Sequence, residues 1–310
     1  MSNASVPTYQ TANKKSVMAN TAGAAPEVRG AALEFLSTLA TEVSKGTVDL
    51  PCFPDVVIKI RKALDDPKTS PERRVQVVGA EPRLAARLLQ TANSAAFNTT
   101  GKPITDLRSA MTRLGQQLVQ SAAMAYAVQQ MKQADQLKPI ARLLTEIWKE
   151  SITVASICHT VARKTKLVPD EAFLAGLLHG IGRLYITVRS VALPPNVYND
   201  PAFVDMIGGW HPQIGKAVLE NWQFTEQTCE AVGDQFAYDR RRRQESDLTD
   251  VLIVSIILGE SLRKRLPGPR VVKIDGITAF QNIGITSPEC NAIITHAEMQ
   301  LGSLVEALGG

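Results

Sequence analysis

The chain has 310 residues, of which 34 are Lys or Arg, 30 are Asp or Glu and 45% are apolar. A formal charge of +4 is too small to require a nucleic-acid or anionic-membrane partner, and the length suits one large domain or two smaller ones. The four cysteines form no CxxC pair, which argues against a zinc knuckle or a disulfide framework. No apolar run reaches the roughly 20 residues of a membrane helix, and no secretory signal is visible, so we expect a cytoplasmic protein with no membrane partner.

The order of the chain predicts an all-α protein. Residues 1–26 lack acidic residues and have few large apolar ones, which predicts a flexible tail. Apolar residues then recur at helical spacing, which predicts an N-terminal helix over residues 27–46, and further helical patterns follow up to residue 245. Residues 246–310 are predicted to form a C-terminal helical segment that packs on the preceding domain. The run Val271–Ile274 is a short, isolated candidate strand.

Some helix boundaries carry specific signals. Ser70 before Pro71 predicts a capped helix start, because Ser is a good N-cap and Pro fits the first helical position. Gly115 permits a turn or a sharp re-entry between two helical stretches. His211 follows the Gly208–Trp210 segment, so we expect a helix to begin there, with His211 in a capping or loop-fixing role.

Glu150 lies in an unusual place in the helix predicted from Ala141 to Lys164. It follows Ile147 by three residues and precedes Val154 by four, so it projects from an apolar face. An unpaired carboxylate is costly there. Either Glu150 is a partly exposed residue at the edge of that face, or it points into a polar pocket and meets a partner.

His179 belongs to the next predicted helix, from Asp170 to about Gly180. It shares one side of that helix with small residues that allow a neighbouring helix to approach closely. Three interpretations are open: a hydrogen-bonded core histidine, a metal ligand, or a residue with a ligand-binding or switching role.

Residues 173–182, with the sequence FLAGLLHGIG, resemble the motif of the HD superfamily of metal-dependent phosphohydrolases and of its HDOD relatives. His-Asp normally stands at positions 179 and 180 of this motif. Four other stretches resemble HDOD domains in the same order along the chain: Leu50–Pro54, Arg87–Ser94, Ala110–Gly115 and His211–Trp222. Each stretch is weak alone, but the ordered set is specific and predicts an HDOD domain over residues 47–245.

The resemblance implies that the metal site of the catalytic relatives is lost. Those enzymes hold their metals with a first His, the His-Asp pair and a later Asp. Here Glu150 occupies the place of the first His, His179 is retained, Gly180 replaces the paired Asp, and Ser255 is the nearest residue to the later Asp. The His-His pair of the family aligns with residues 235–236, Gln-Phe.

A hydrolytic metal centre needs several donors, and no third donor can be named beside Glu150 and His179. We therefore expect no bound metal, no other cofactor and no catalytic residue. We also hypothesise that Glu150 and His179 contact each other and fill the former cavity. That contact would raise the pKa of His179, unless burial dominates.

The run Arg240, Arg241, Arg242 and Arg243 has two interpretations. Such runs are typical of solvated loops, but guanidinium groups also bind phosphates, which would suit a nucleotide or a nucleic acid. The run lacks interleaved aromatic residues for base stacking.

The function implied by the resemblance is that of a non-catalytic regulatory or scaffold protein of bacterial signal transduction, which binds signalling proteins in trans. A residual metal-dependent phosphohydrolase and a nucleotide or nucleic-acid binder are the alternatives.

Overall fold

The computed structural model describes residues 26–48, 50–94, 97–98, 101–263 and 276–308. The predicted tail, apart from its last residue, and the candidate strand Val271–Ile274 lie outside the described residues.

Regular structure in the described residues is helical throughout, so the predicted all-α fold is confirmed. The α-helices are α1 (Pro26–Ser44), α2 (Asp55–Asp65), α3 (Pro71–Gly79), α4 (Pro82–Asn93), α5 (Leu107–Gln133), α6 (Ala141–Ala162), α7 (Pro169–Leu178), α8 (Ile181–Arg189), α9 (Pro195–Tyr198), α10 (Pro201–Asn221), α11 (Glu226–Gly233), α12 (Leu248–Arg263), α13 (Thr278–Ile283) and α14 (Ser287–Leu308). Short 3-10 helices span Asp135–Ile140 and Ser190–Ala192.

Two of the predicted boundary signals act as expected. The Ser70 hydroxyl accepts a hydrogen bond from the Arg73 amide at 3.2 Å, which satisfies one of the unpaired amides at the start of α3. Gly115 interrupts α5 with φ 74° and ψ 167°, a conformation that favours glycine. The chain therefore re-enters the helix at Gly115 in a new direction.

The predicted helix start at His211 is wrong, because His211 lies inside α10. Asp200 caps this helix by accepting a hydrogen bond from the Ala202 amide at 2.8 Å, and Pro201 occupies its first turn. Gly208 lies mid-helix, and a methyl group on it would meet no atom within 4 Å, so it neither packs tightly nor ends the helix. The buried apolar face of α10 supplies the packing that outweighs the low helix propensity of glycine.

Helix α6 is the centre of the packing that positions the site. It packs on α7, α12 and α14, and α8 packs on α10. Helix α12 runs antiparallel to α6, since Arg263 pairs with Glu150 while Gly259 lies against Val154 further along. Lys164, just after α6, pairs with Glu289 of α14 at 2.7 Å. As a result, α8 and the end of α12 both lie beside the part of α6 that contains Glu150.

Helices α8 and α10 approach each other closely at a pair of glycines. A methyl group on Gly182 would lie 2.0 Å from the carbonyl oxygen of His211 and 2.5 Å from the backbone nitrogen of Gly215. Only a residue without a side chain fits this crossing. The crossing places His211 beside the start of α8, immediately after His179 and Gly180.

Candidate functional site

The carboxylate of Glu150 lies between two guanidinium groups from two different helices. Its Oε2 accepts a hydrogen bond from Nη1 of Arg183 in α8 at 3.0 Å and lies 3.1 Å from Nη1 of Arg263 at the end of α12. The side chains of Glu150, Arg183 and Arg263 are 25%, 32% and 56% exposed. We call these three residues the pocket cluster. The pocket cluster contains two cations and one anion, so the formal charge of the three residues together is +1.

The hypothesised contact between Glu150 and His179 is not made. Instead, Nδ1 of His179 donates a hydrogen bond to the Gly176 carbonyl at 2.7 Å, one turn earlier in the chain. Burial lowers the pKa of His179, and it outweighs the hydrogen bond to Gly176 and the negative charge of Glu150. His179 is therefore a neutral imidazole with its proton on Nδ1.

His211 is the second buried histidine of the site, and the capping role predicted for it is wrong. Its Nδ1 is buried and has no hydrogen-bond partner among the described residues, and its ring meets Phe236 edge-on, with centroids 5.5 Å apart. Burial lowers the pKa of His211 to about 3, and the positive charge of Arg183 acts in the same direction. The site thus contains two uncharged histidines below the pocket cluster.

Gln235 and Phe236 also contact this site. Nε2 of Gln235 donates hydrogen bonds to the carbonyls of His179, at 3.2 Å, and Val232, at 2.7 Å. The Gln235 amide thus holds the backbone of His179, and the Phe236 ring packs on His211.

A side chain at position 180 would press on α6. A methyl group on Gly180 would lie 3.0 Å from Oγ of Ser151 and 3.6 Å from a side-chain carbon of Ile147. Helix α6 therefore occupies the space into which a side chain at position 180 would project.

Ser255 does not belong to the site. It lies against Cys158, which is eight residues further along α6 than Glu150, a distance of about 12 Å along the helix axis. Burial raises the pKa of the Cys158 thiol to about 12, which agrees with an apolar surrounding. The residue of α12 that reaches Glu150 is Arg263.

The donor set does not fit a hydrolytic metal centre. In the described part of the chain, no three His, Cys, Asp or Glu side chains are placed to hold a metal ion. The one carboxylate of the site is paired with two guanidinium groups, and a local charge of +1 repels a divalent cation. Gly180 offers no ligand, so Glu150, His179 and His211 do not combine into a metal-binding set.

The arginine run belongs to an irregular segment between α11 and α12, which we call the arginine loop (residues 234–247). Arg240 is turned inward: its Nη1 lies 2.7 Å from Asp247 and 2.9 Å from Asp250, and its side chain is 12% exposed. Asn282 of α13 donates a hydrogen bond to Asp250 at 3.1 Å. We call Arg240, Asp247, Asp250 and Asn282 the loop cluster.

The two aspartates of the loop cluster have opposite pKa shifts. Burial and the nearby charge of Asp247 raise the pKa of Asp250. Burial also disfavours the charge of Asp247, but hydrogen bonds from Arg240 and from the Asp250 amide lower the pKa of Asp247 overall. Arg243 also contacts Asp247. Two of the four arginines are thus committed to internal ion pairs, while Arg241 and Arg242 are exposed.

Sequence reasoning missed Arg183, Arg263 and His211 as site residues. His179 and Gly180 separate α7 from α8, so the four-residue spacing between His179 and Arg183 does not indicate a shared helix face. Arg263 gave no signal either, because the tertiary packing of α12 on α6 brings it there.

The helices and the site define the chain as an all-α helical protein. Residues 50–237 match the HDOD domain, which is more than half of the chain. The chain belongs to the HDOD family. It is also 22% identical over 201 residues to an uncharacterized protein from Treponema pallidum (strain Nichols), a match that covers 61% of this chain and 38% of that relative.

Several solved structures share the fold. One is a protein from Shewanella amazonensis SB2B whose assignment as a metal-dependent phosphohydrolase is provisional; the TM-score is 0.68 at 21% identity, covering 89% of this chain and 99% of that one. Another is an HDOD domain protein of unknown function from Geobacter sulfurreducens, with a TM-score of 0.56 at 20% identity, covering 89% and 98% of the two chains. A third, from Marinobacter aquaeolei VT8, is provisionally assigned to signal transduction; its TM-score is 0.56 at 20% identity, covering 90% of this chain and 65% of that one.

Among the described helices, none has the length and apolar character needed to cross a membrane.

Proposed function

We propose that this chain is a non-catalytic regulatory protein of signal transduction that binds protein partners in trans. The observation that carries the proposal is the pocket cluster, in which two guanidinium groups neutralise the carboxylate that stands at the place of the first metal-binding His. A site with a net positive charge and no side chain at Gly180 lacks the means to hold the cation that hydrolysis by this superfamily needs.

Two further observations support a signalling role. The chain belongs to the HDOD family, and one protein of the same fold carries a provisional signal-transduction assignment. We propose the cytoplasm as its compartment, because all four cysteines are free thiols, as is usual in a reducing environment.

The catalytic half of the proposal is tested with the purified full-length chain. It is incubated with Mg²⁺, Mn²⁺ or Fe²⁺ and with phosphomonoester and cyclic dinucleotide substrates, and its metal content is measured by elemental analysis. We expect turnover at the protein-free rate and no stoichiometric metal. Metal-dependent hydrolysis that disappears in His179→Ala would contradict the proposal.

A double variant, Glu150→His with Gly180→Asp, serves as the matched positive control. It restores two donors next to His179, so we expect it to take up more metal than the native chain under the same conditions. A folding check by circular dichroism is needed, since the new side chain at position 180 must displace Ser151 or Ile147.

The binding half is tested by affinity purification of the tagged chain from the organism that encodes it. Each recovered protein is then purified, and its binding to the chain is measured directly. We expect at least one protein to bind as a purified component. A chain that binds no protein under these conditions, but retains its fold, would not be an adaptor.

A further inference from the structure

The arginine loop has an uncommon combination of irregular backbone and firm attachment. It runs from residue 234 to 247 without regular secondary structure, and irregular segments of this length inside a domain are often functional. Yet Arg240 fastens its middle to the first turn of α12 through Asp250, whose side chain is fully buried. The Arg243 amide donates a hydrogen bond to Asn282 at 3.0 Å, which attaches the loop to α13 as well.

The exposed side of this loop carries two aromatic rings. Phe236 and Tyr238 are 38% and 40% exposed, and their ring centroids lie 6.2 Å apart. Phe236 rests edge-on against His211. Burial and the charge of Glu260 in α12 raise the pKa of Tyr238. Large aromatic side chains held partly in water are typical of surfaces that become buried on binding.

Two exposed arginines complete the surface. Arg241 follows Tyr238 by three residues, so their Cα atoms are at most about 11 Å apart. Neither Arg241 nor Arg242 makes an ion pair with any residue that the structure describes, whereas Arg240 and Arg243 both pair with Asp247. The loop therefore offers two guanidinium groups for an external anion.

We propose that Phe236, Tyr238, Arg241 and Arg242 form a docking surface for an acidic segment of a partner protein that also carries an apolar side chain. Arginine and tyrosine dominate the residues that contribute most to protein interfaces, and guanidinium groups pair with carboxylates through two parallel hydrogen bonds. The attachment of the loop reduces the entropy lost on binding, because the surface is already ordered. This inference rests on the proposed function, that the chain binds protein partners, and it names the surface through which the chain would bind them.

The charges of the loop favour a protein over a nucleic acid. Asp239 and Glu245 lie on the same exposed segment and would repel a continuous phosphate backbone, although Glu245 is paired with Lys166 at 2.6 Å. A discrete carboxylate beside an apolar side chain can meet Arg241 or Arg242 and avoid Asp239. The modest charge of +4 for the whole chain agrees with this choice.

The test begins with a photoreactive benzoylphenylalanine placed at Gln244, which is exposed and lies outside the four proposed contact residues. A second chain carries it at Leu33 on α1 as a control. Both full-length chains are cross-linked in cells of the organism that encodes the protein, and the cross-linked segment is sequenced by mass spectrometry. That segment is then synthesised as a peptide, and its Kd is measured with the native chain and with variants.

The proposal expects an acidic segment from the chain labelled at Gln244. It also expects the Kd to rise about tenfold or more in R241A/R242A and in F236A/Y238A, as for the loss of contact residues at the centre of an interface. The matched control, R73A/R142A, removes two arginines elsewhere on the surface and should leave the Kd within about twofold. Urea unfolding of each variant excludes misfolding.

The other outcomes separate this surface from the proposed function. One such outcome is a partner that cross-links at Leu33 or co-purifies and yet binds R241A/R242A with an unchanged Kd. This result would contradict the proposed docking surface and leave the adaptor role intact. The recovery of no protein by any route removes both. A nucleic acid cross-linked at Gln244, or a partner segment without acidic residues, overturns the stated chemistry of the partner.

Discussion

The pocket cluster and the loop cluster are both built from arginines and carboxylates, but they differ in burial and in charge balance. In the pocket cluster, Glu150 is 25% exposed and shared by two arginines. In the loop cluster, the side chain of Asp250 is fully buried, and two aspartates share the inward-facing Arg240. The first cluster has an excess of positive charge at a partly open surface. In the second cluster, Asp250 is fully buried and Arg240 is 12% exposed, so these two charges need each other, whereas Asp247 is 33% exposed.

This difference indicates separate roles. Removal of one partner from a buried ion pair leaves an uncompensated charge, whereas a partly exposed pair is screened by water. The loop cluster should therefore determine whether the arginine loop keeps its shape, and the pocket cluster should contribute little to stability. What the pocket cluster does determine is the charge around Glu150.

The largest effect is expected for Asp250→Ala. It leaves Arg240 buried with one carboxylate partner and removes the hydrogen bond from Asn282. We expect a loss of about 3–5 kcal/mol in the free energy of unfolding, measured by urea titration at pH 7.

The matched control for this change is Glu245→Ala, which removes an exposed carboxylate from the same loop and should change stability little. If both variants unfold at the same urea concentration, the loop cluster does not hold the loop, and the contrast between the two clusters fails.

The second prediction concerns the packing beneath the pocket cluster. Gly182→Ala places a methyl group 2.0 Å from the carbonyl oxygen of His211, so α8 must move away from α10 and carry Arg183 with it. We expect a loss of about 3 kcal/mol in the free energy of unfolding.

Gly208→Ala provides the control for that substitution within α10. A methyl group there meets no atom within 4 Å, so alanine should raise stability by about 0.5–1 kcal/mol through its higher helix propensity. Equal effects of the two substitutions would show that the crossing of α8 and α10 is less tight than its geometry indicates.

Local sequence patterns were sufficient to predict the helices and several of their details. Helical spacing indicated the all-α fold, Ser70 indicated a cap, and Gly115 indicated a break. The pattern also singles out Glu150, because a carboxylate on an apolar face needs a partner, and this carboxylate contacts two guanidinium groups. These features depend on residues that are close in the chain.

The partners of Glu150 could not be predicted in the same way, because they depend on the register in which neighbouring helices pack. Helix α12 is buried on nearly all sides, so its apolar pattern does not reveal which residue reaches the level of Glu150. The sequence pattern favours Ser255 in this place, but the antiparallel packing brings Arg263 to Glu150. His211 was misjudged because two preceding glycines suggested a loop, while tertiary packing keeps them helical.

The third prediction is a pH dependence from His211, which lies next to the pocket cluster. Its pKa is about 3 in the folded state and about 6.5 in an unfolded chain, so the unfolded chain binds one more proton between these values. Stability should therefore fall as the pH is lowered from 7 to 5.5, by about 1 kcal/mol from this residue.

His211→Gln removes the titrating group, and no described hydrogen bond of His211 Nδ1 is lost with it. Urea titrations of both chains at pH 7 and pH 5.5 measure the effect: the decrease in stability should be smaller in the variant. An unchanged pH dependence would assign the proton uptake to other groups. The chain has four histidines, so a resonance is assigned to His211 by its loss in His211→Gln, and titration of that resonance near pH 6.5 would contradict the burial of His211.

The smallest change in stability, about 0.5 kcal/mol, is expected for Glu150→Gln, because the pairs with Arg183 and Arg263 are partly exposed. The substitution raises the charge of the pocket cluster from +1 to +2, so it should weaken any residual affinity for Mn²⁺ and strengthen the attraction of anions. Urea titrations at 0.05 M and 0.5 M NaCl test the first expectation: the difference between native and variant chains should shrink at high salt, since screening weakens partly exposed ion pairs. A loss of stability as large as that in Asp250→Ala would mean that the ion pairs of Glu150 behave as buried ones. The pocket cluster and the loop cluster would then not differ in their contribution to stability.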